Sequence, residues 1–594
     1  MQYSDNPRKV YGKLKIVYCD GHVSTDIQMS ESGKGDISYP EQVYEGHDTP
    51  TIRACTMDGN SSMGEGFQMN GPGLVCGWWS ENHCNGNGEF IAPVWLRLTC
   101  VARPVTKWTI RGDDKLNQYP VDYDIRTYKE SVLSTVREVR GNTNVQNTVY
   151  YEGALLDITA VEIQIYTWST PNVKAKIIQF FDIVEEEYLG SDLKEIEVYE
   201  EIESSASSMF GISGNTLKVV LYNKDRKFDK GYLKELLLVG RKVSAYLGIN
   251  NNTNQIVYTN LGIFYSDEWS MQQDNQWLKL QCEDRLMGLQ SIEYIGYPCT
   301  INISLYEIAV DIFNKAGLAI EDYSIDTALQ SIIVYNGFMR KTSVWNALQD
   351  ICYAGRCNAF VNRENRIIIT RNNVIAGSQD IMPASIFSHT KKALIKDFSN
   401  SIEVAYTEVD IGITIVVAYE KVIVMDAGVQ VSIPIEYGID ITDANVSYIP
   451  SAGINLISFE SGINAGKLVL ENTNSSAITT TIKVEGLEIR TSTQIVEVED
   501  SASISVWGKK KYSYIGSELI QDYDMAYDIG TYLLDRLKRG SGTLKMKWRG
   551  DPTMQLLESF HATDRDNDKE QYQCVSNNYK YDGGLIQETK GRLI

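Results

Sequence analysis

Histidine is scarce in this chain: only His22, His47, His83, His389 and His561 occur among 594 residues. None belongs to an H-E-x-x-H motif, and neither a G-x-S-x-G elbow nor a phosphate-cradling glycine loop is present. These absences remove the usual metalloprotease, serine-hydrolase and nucleotide-hydrolase arrangements. Hydrolysis by a carboxylate pair stays open, because acids are plentiful and a sequence does not measure their separation, but no pair stands out. Cysteine is sparse as well. Ten in a chain this long are no disulfide framework, and Cys19, Cys55, Cys76, Cys84 and Cys100 lack C-x-x-C pairing. Long apolar runs are missing, the longest lying near 411–419, far below the ~18 residues of a membrane span, so no membrane anchor is expected. The opening Met1-Gln2-Tyr3-Ser4-Asp5 has no signal-peptide character, which predicts folding in a cytoplasm. Positive charge is in deficit: 56 Lys and Arg against 77 Asp and Glu give −21. Phosphate contacts need basic clusters, so nonspecific nucleic-acid binding is disfavoured; such a charge suits keeping DNA from sticking.

What is present points to a mainly β, multidomain protein. The 43% hydrophobic share supports packed cores, and 36 tyrosines, 45 glycines and only 13 prolines favour strands and tight turns. At roughly 100–200 residues per domain, about three to five domains are expected. Residues 1–190 read as short strands separated by turns such as Asn85-Gly86-Asn87-Gly88, with period-two stretches at 12–18, 95–100, 161–166 and 175–178. That spacing predicts a jelly-roll sandwich. A second β-domain spans 191–292, with strands at 193–199, 216–222, 242–247, 255–265 and 277–281. Ten acids stand against one lysine between Asp182 and Glu203, and the alternation in Glu195-Ile196-Glu197-Val198 makes them the wet face of a strand rather than a cation site.

The pattern then changes to a small α+β unit, 293–385. Ser304 caps a helix with Glu307 at the capping-box position, a second helix spans 343–354, and Arg363-Glu364-Asn365 joins two strands. From 386 the chain is β again, with a serine- and asparagine-rich stretch at 430–500. One helix at 525–539 turns Ala526, Ile529, Leu533, Leu534 and Leu537 inward, and a closing meander completes the chain.

Several segments are candidates for chemistry. Gly77-Trp78-Trp79-Ser80 offers flat rings on which a sugar could stack, so Trp78 and Trp79 are candidate carbohydrate-binding residues, against the alternative that at least one is core. Cys76, His83, Cys84 and Cys100 are the nearest approach to a zinc set, irregularly spaced. Asp564-Arg565-Asp566-Asn567-Asp568-Lys569-Glu570 resembles the start of a calcium loop but lacks the turn glycine and has Val575 at the glutamate position, which reads as a hairpin tip. Arg-Gly-Asp at 111–113 and 549–551 reads as ordinary turns. No catalytic residue, metal or cofactor is expected.

Three segments in order resemble the tail-hub proteins at the tip of bacteriophage tails, particularly of phages of Gram-positive bacteria. The first is Ser213-Gly214-Asn215-Thr216-Leu217-Lys218-Val219-Val220-Leu221-Tyr222-Asn223 with Gly240-Arg241-Lys242-Val243 and Leu261-Gly262-Ile263-Phe264-Tyr265. The second is the α+β unit around 304–371. The third is 525–537 with Trp548-Arg549-Gly550-Asp551-Pro552 and Asn578-Tyr579-Lys580-Tyr581-Asp582-Gly583-Gly584-Leu585. The resemblance implies two tube-like hub β-barrels, at 191–292 and at 386–429 plus 501–594, with a β-rich insertion at 430–500. Residues 1–190 resemble a discoidin-like jelly roll through Asp58-Gly59-Asn60, Gly77-Trp78-Trp79-Ser80 and Tyr119-Pro120-Val121-Asp122-Tyr123. Together these likenesses imply a noncatalytic homotrimer at the virion tail tip, assembled in the host cytoplasm. It would join tail tube and distal tail proteins to a tip spike or receptor-binding fibres, and DNA would pass through it unbound. Host cell-wall glycans are a further expected partner, and a sugar-binding adhesin is the alternative reading. The sequence stops directly after the second barrel, without the extension that carries a hydrolase in many relatives, so lytic activity is not expected.

Overall fold

The computed structural model describes residues 9–18, 28–33, 36–38, 77–113, 116–177, 179–181, 184–202, 210–230, 233–234, 237–250, 255–272, 274–371, 374–392, 398–514, 516–538, 543–563 and 568–594. Strands Val10–Tyr18 (β1), Val184–Leu189 (β2), Leu193–Glu201 (β3), Thr216–Tyr222 (β4), Lys242–Asn250 (β5), Ile256–Gln272 (β6) and Trp277–Glu283 (β7) pair antiparallel in the order β2-β1-β5-β6-β7-β4-β3. The two end strands are consecutive in the chain, joined by Gly190–Asp192, so the strip curls back on itself. Strict alternation puts Leu14, Ile16, Val219, Leu247, Phe264 and Leu280 into one shared core. Where β1 passes β3, side chains of Tyr581 and Leu193 lie against the Gly12 backbone. A Cβ at Gly12 would stand 2.6 Å from the Tyr581 ring and 3.0 Å from Leu193, a space that only glycine leaves open.

The expected boundary at 190 therefore moves. Residues 10–18 belong to the first barrel rather than to the N-terminal domain, because Leu14 and Ile16 complete the barrel core and β1 is hydrogen-bonded to β5. The sandwich is an insertion between β1 and β2, which pair with each other at its root. Its larger sheet runs Gln179–Phe181, Glu89–Arg111, Gln146–Trp168, Pro120–Lys129, Val132–Val139, with Gln28–Glu31 added beside Glu89–Arg111. Asp36–Ser38, Gly77–His83 and Lys174–Ile177 form the smaller sheet.

The α+β unit holds helices Leu305–Lys315 (α1) and Val344–Gly355 (α2). Ser304 Oγ accepts from the Glu307 amide at 3.2 Å and Glu307 Oε2 accepts from the Ser304 amide at 3.0 Å, the reciprocal cap the sequence predicts. Asp350 on α2 has its carboxyl pushed up to about 7, first by burial and then by the Glu518 charge. A raised carboxyl binds its proton more tightly folded than unfolded. Its contribution is thus complete below 3.8 and is lost as pH rises through about 7. Asp350→Asn is expected to flatten the fall of urea midpoint between those limits; an unchanged slope would contradict this.

Strands Ile375–Ile381 (β8) and Ile386–Lys392 (β9) open a second barrel. A long insertion comes next, whose main ladder is Ser401–Met425 (β10) against Ile478–Glu499 (β11). The insertion also holds helix Tyr523–Leu537 (α3). Thr543–Trp548 (β12), Glu558–Thr563 (β13), Lys569–Tyr581 (β14) and Leu585–Leu593 (β15) then complete the barrel in the order β8-β13-β14-β15-β12-β9. Again the end strands β8 and β9 are consecutive, and Met546, Trp548, Phe560, Tyr572 and Cys574 fill the core.

Three expected boundaries are corrected here: β8 falls inside the 293–385 expected for the α+β unit, yet it pairs with β13 and belongs to the second barrel. Segments 401–429 and 501–537 leave the second barrel, because β10 pairs with β11 and not with a barrel strand. The stripe of α3, with Ala526, Ile529, Leu533, Leu534 and Leu537 inward as predicted, packs into the core of the α+β unit beside Ile402, Val404, Val496 and Val498. The insertion thus runs from about 398 to 538 rather than 430 to 500. Among the described residues no helix is long and apolar enough to cross a membrane.

Candidate assembly site at the barrel junction

The two barrels are one continuous sheet, and strand β14 joins them. Its first half pairs with β13 of the second barrel, and its second half pairs with β3 of the first, with Val198 opposite Tyr579. Period two places Glu200 on the same face of β3 as Ile196 and Val198, pointing inward. The wet-face expectation therefore applies to the partly exposed Glu195 and Glu197 and fails at Glu201, which is buried and pairs with Lys590 at 3.4 Å, and at Glu200, which is buried as well. A carboxylate in that position requires a counter-ion.

Arg363 supplies it from the turn of the α+β unit. Its Nε donates to Glu200 Oε1 at 2.9 Å and its Nη2 to Glu200 Oε2 at 3.2 Å. The remaining donors reach Pro552 O at 2.5 Å, Met554 O at 2.8 Å and Tyr579 Oη at 3.0 Å. One guanidinium thereby ties together the first barrel, the second barrel and the α+β unit. Burial works against its charge, but the Glu200 carboxylate and the Tyr579 hydroxyl outweigh burial and raise its pKa above the ordinary arginine value. Burial likewise pushes the Tyr579 hydroxyl well up, so it serves as a neutral hydrogen-bonding group. Around this centre Asn260 Nδ2 donates to Arg363 O at 2.8 Å, Asn365 Nδ2 to Tyr265 Oη at 2.9 Å and Asn215 Nδ2 to Val361 O at 2.9 Å. The arrangement holds three units in fixed relation; it activates no nucleophile.

The residues singled out in the sequence lie elsewhere. Trp78 and Trp79 are 0% and 2% exposed. The Trp78 ring is in the sandwich core and its Nε1 donates to Glu31 Oε2 at 2.5 Å. The Trp79 ring carries the Lys176 ammonium 4.4 Å from its centroid. Neither ring leaves a face free for a sugar. Of the zinc set, Cys76 lies outside the described residues and only the backbone of Cys100 is described. His83, the last residue of its strand, is exposed, while the following Cys84 turns inward and its Sγ donates to Thr170 O at 3.2 Å. Among the described residues no three His, Cys, Asp or Glu side chains converge as metal ligands. Both Arg-Gly-Asp aspartates are buried, Asp113 at 0% and Asp551 at 6% exposure, so neither tripeptide can present its carboxylate. The acidic run at 564–570 connects β13 to β14, with 564–567 outside the described residues. Burial pushes the thiols of Cys282, Cys352 and Cys574 up, the reverse of an activated thiolate.

Arg363, Glu200 and Tyr579 carry no local signature. Arg363 reads as one residue of a polar turn, and its partners stand 163 and 216 positions away.

No family model matches the chain, and no curated protein matches it. Solved structures similar to it include the 43 kDa tail protein of prophage MuSo2 from Shewanella oneidensis, at 10% identity and a TM-score of 0.38, covering 68% of this chain and 95% of that one. A tail protein from Neisseria meningitidis aligns at 9% identity and TM-score 0.37, covering 68% and 93%. Prophage tail protein gp18 from Listeria monocytogenes aligns at 9% and 0.36, covering 68% and 91%. These scores are too low to carry an argument, and the functional reading rests on the chain's own residues and geometry.

Proposed function

We propose that the chain is a noncatalytic hub subunit at the tip of a phage-like tail, closed into a ring by three copies. The observation that carries this reading is the fusion, through β3 and β14, of two barrels of matching design, each with its end strands consecutive in the chain. Three copies would set six barrels around one axis and meet a sixfold tube. The resemblance of 191–594 to tail hubs points the same way. The net charge of −21 suits a lumen through which DNA passes without being held.

Tail tube and distal tail proteins would bind one side of the ring and a tip spike or receptor-binding fibres the other, at the virion tail tip after assembly in the host cytoplasm. The N-terminal sandwich, held at its root by β1 and β2, is an accessory module. Contact with host cell-wall glycans belongs to this reading only through surfaces other than the Trp78 and Trp79 rings. The test is the oligomer itself. Light scattering and electron microscopy of the full chain are expected to give a threefold ring with a central pore. A stable monomer that joins neither tube nor tip proteins would overturn the reading.

A further inference from the structure

The insertion contains a body with a core of its own, built from Met425, Ile435, Leu468, Leu470, Ile482 and Val484. A narrow neck connects it to the rest. Below the neck, Ser401–Val404 of β10 has Lys511–Tyr514 as a third strand, and above it Ile441–Ile449 pairs with 481–488 of β11. In between, 405–411 and 489–495 pair with each other as a two-stranded ribbon, and the β10–β11 register breaks between Ile411 and Ile415. Thr407 is tied to Ile520 O at 2.8 Å and the Ile489 amide to Asp440 O of the body at 2.8 Å, so the part of the ribbon between these ties is 408–410 with 490–492, where Val409 packs beside Phe338, Ile463 and Ile489. Beside it lies a cavity of about 460 Å³ bordered by Tyr335, Glu408, Asp410, Arg490 and Gln521.

The body touches the α+β unit a second time, and this contact is largely ionic. Lys315 Nζ meets Glu460 Oε1 at 3.0 Å, Arg340 Nη2 meets Asp440 Oδ2 at 2.6 Å, and Lys341 Nζ meets Glu436 Oε1 at 3.0 Å. All three cations come from the α+β unit and all three of these acids from the body. Arg340 also pairs with Glu518, and the Lys341 amide donates to Asn464 Oδ1 at 2.8 Å. The apolar part is a small cluster of Phe338, Ile463 and Ile489. At the centre the chains touch backbone to backbone: a Cβ on Gly462 would lie 2.6 Å from Ile295 O. Partly exposed ion pairs are individually weak and are screened by salt, whereas the body's apolar core and the ladder in its neck are not.

We propose that residues 411–489 form a hinged body, latched to the α+β unit by Lys315, Arg340 and Lys341, which swings about the 408–410/490–492 ribbon when these ion pairs are broken. The inference is independent of what the chain assembles into. Breaking the latch loosens one contact while every core stays folded.

Hydrogen exchange on the full chain tests it. One arm raises the salt to about 1 M, where the screening length falls to roughly 3 Å. The other arm combines Lys315→Gln, Arg340→Gln and Lys341→Gln. In both, exchange at the backbone amide of position 341, which donates across the contact to Asn464 Oδ1, is expected to rise about tenfold or more, as loss of three modest pairs would produce, while 337–339, paired with 297–300 inside the α+β unit, should keep their protection. Residues 466–471 and 480–485 should keep their protection. An unchanged rate at the backbone amide of position 341 in either arm overturns the proposal. So does loss of protection in the body's own core, which would mean unfolding rather than release. Should the triple variant fail to fold, the salt arm on the unaltered chain decides by the same criteria.

Discussion

Arg363→Met is expected to destabilise the joined barrels by about 3–5 kcal/mol, because it strands Glu200 as an uncompensated charge inside the protein. The cost comes from what is left behind. Glu200 loses both guanidinium contacts, and the carbonyls of Pro552 and Met554 and the Tyr579 hydroxyl lose a donor. Glu200→Gln alone leaves an uncompensated buried cation and is expected to cost a comparable amount. The pair Arg363→Met with Glu200→Gln should recover a large part of the loss, since no buried charge then remains. The readout is the unfolding transition of the barrels in urea for the two single variants and the pair. A loss below about 1 kcal/mol for Arg363→Met, the size of an exposed pair, would contradict the junction assigned to this residue.

Trp78→Ala is expected to cost the N-terminal sandwich about 3–5 kcal/mol, the usual penalty for emptying an aromatic site in a packed core. The ring is wholly buried among residues that include Val94, Leu96, Ile163 and Ile177. Its removal leaves a cavity and also strips Glu31 of its indole donor. Trp507→Ala is the matched control: at 68% exposure it should shift stability by no more than about 0.5 kcal/mol. Because the sandwich is inserted at a barrel edge, its transition should move while that of the barrels stays. A Trp78→Ala chain of unchanged stability that had lost affinity for a glycan would return this ring to the role of a sugar platform.

Local chemistry was well encoded. The capping box at Ser304, the inward stripe of α3 and the alternation in β1 depend on residues within a few positions of one another, and they occur where the pattern puts them. Trp78 and Trp79 show the limit of such reading. An aromatic pair on a strand looks the same in sequence whether its rings meet solvent or a packed interior, and here Trp78 enters the sandwich core while Trp79, on the other face of the strand, is buried with Lys176 of the neighbouring strand over its ring. Glu195, Glu197 and Glu200 make the same point: alternation predicts a wet face for the first two, yet it also turns Glu200 inward, which only a distant arginine makes tolerable.

The sequence alone determined the mainly β character, the α+β unit between β regions, the lack of a membrane-spanning run and the acidic balance, since each derives from composition or short-range periodicity. Tertiary structure decided which strands share a barrel, and therefore where the domains end. Strand β1 joins a partner more than 200 positions away, β10 leaves the barrel for β11, and β14 divides itself between two barrels. Strand pairing is a non-local choice among segments with the same alternation, settled by which set of apolar faces closes a common core. No local pattern records that outcome, nor the charge on Arg363 that it requires.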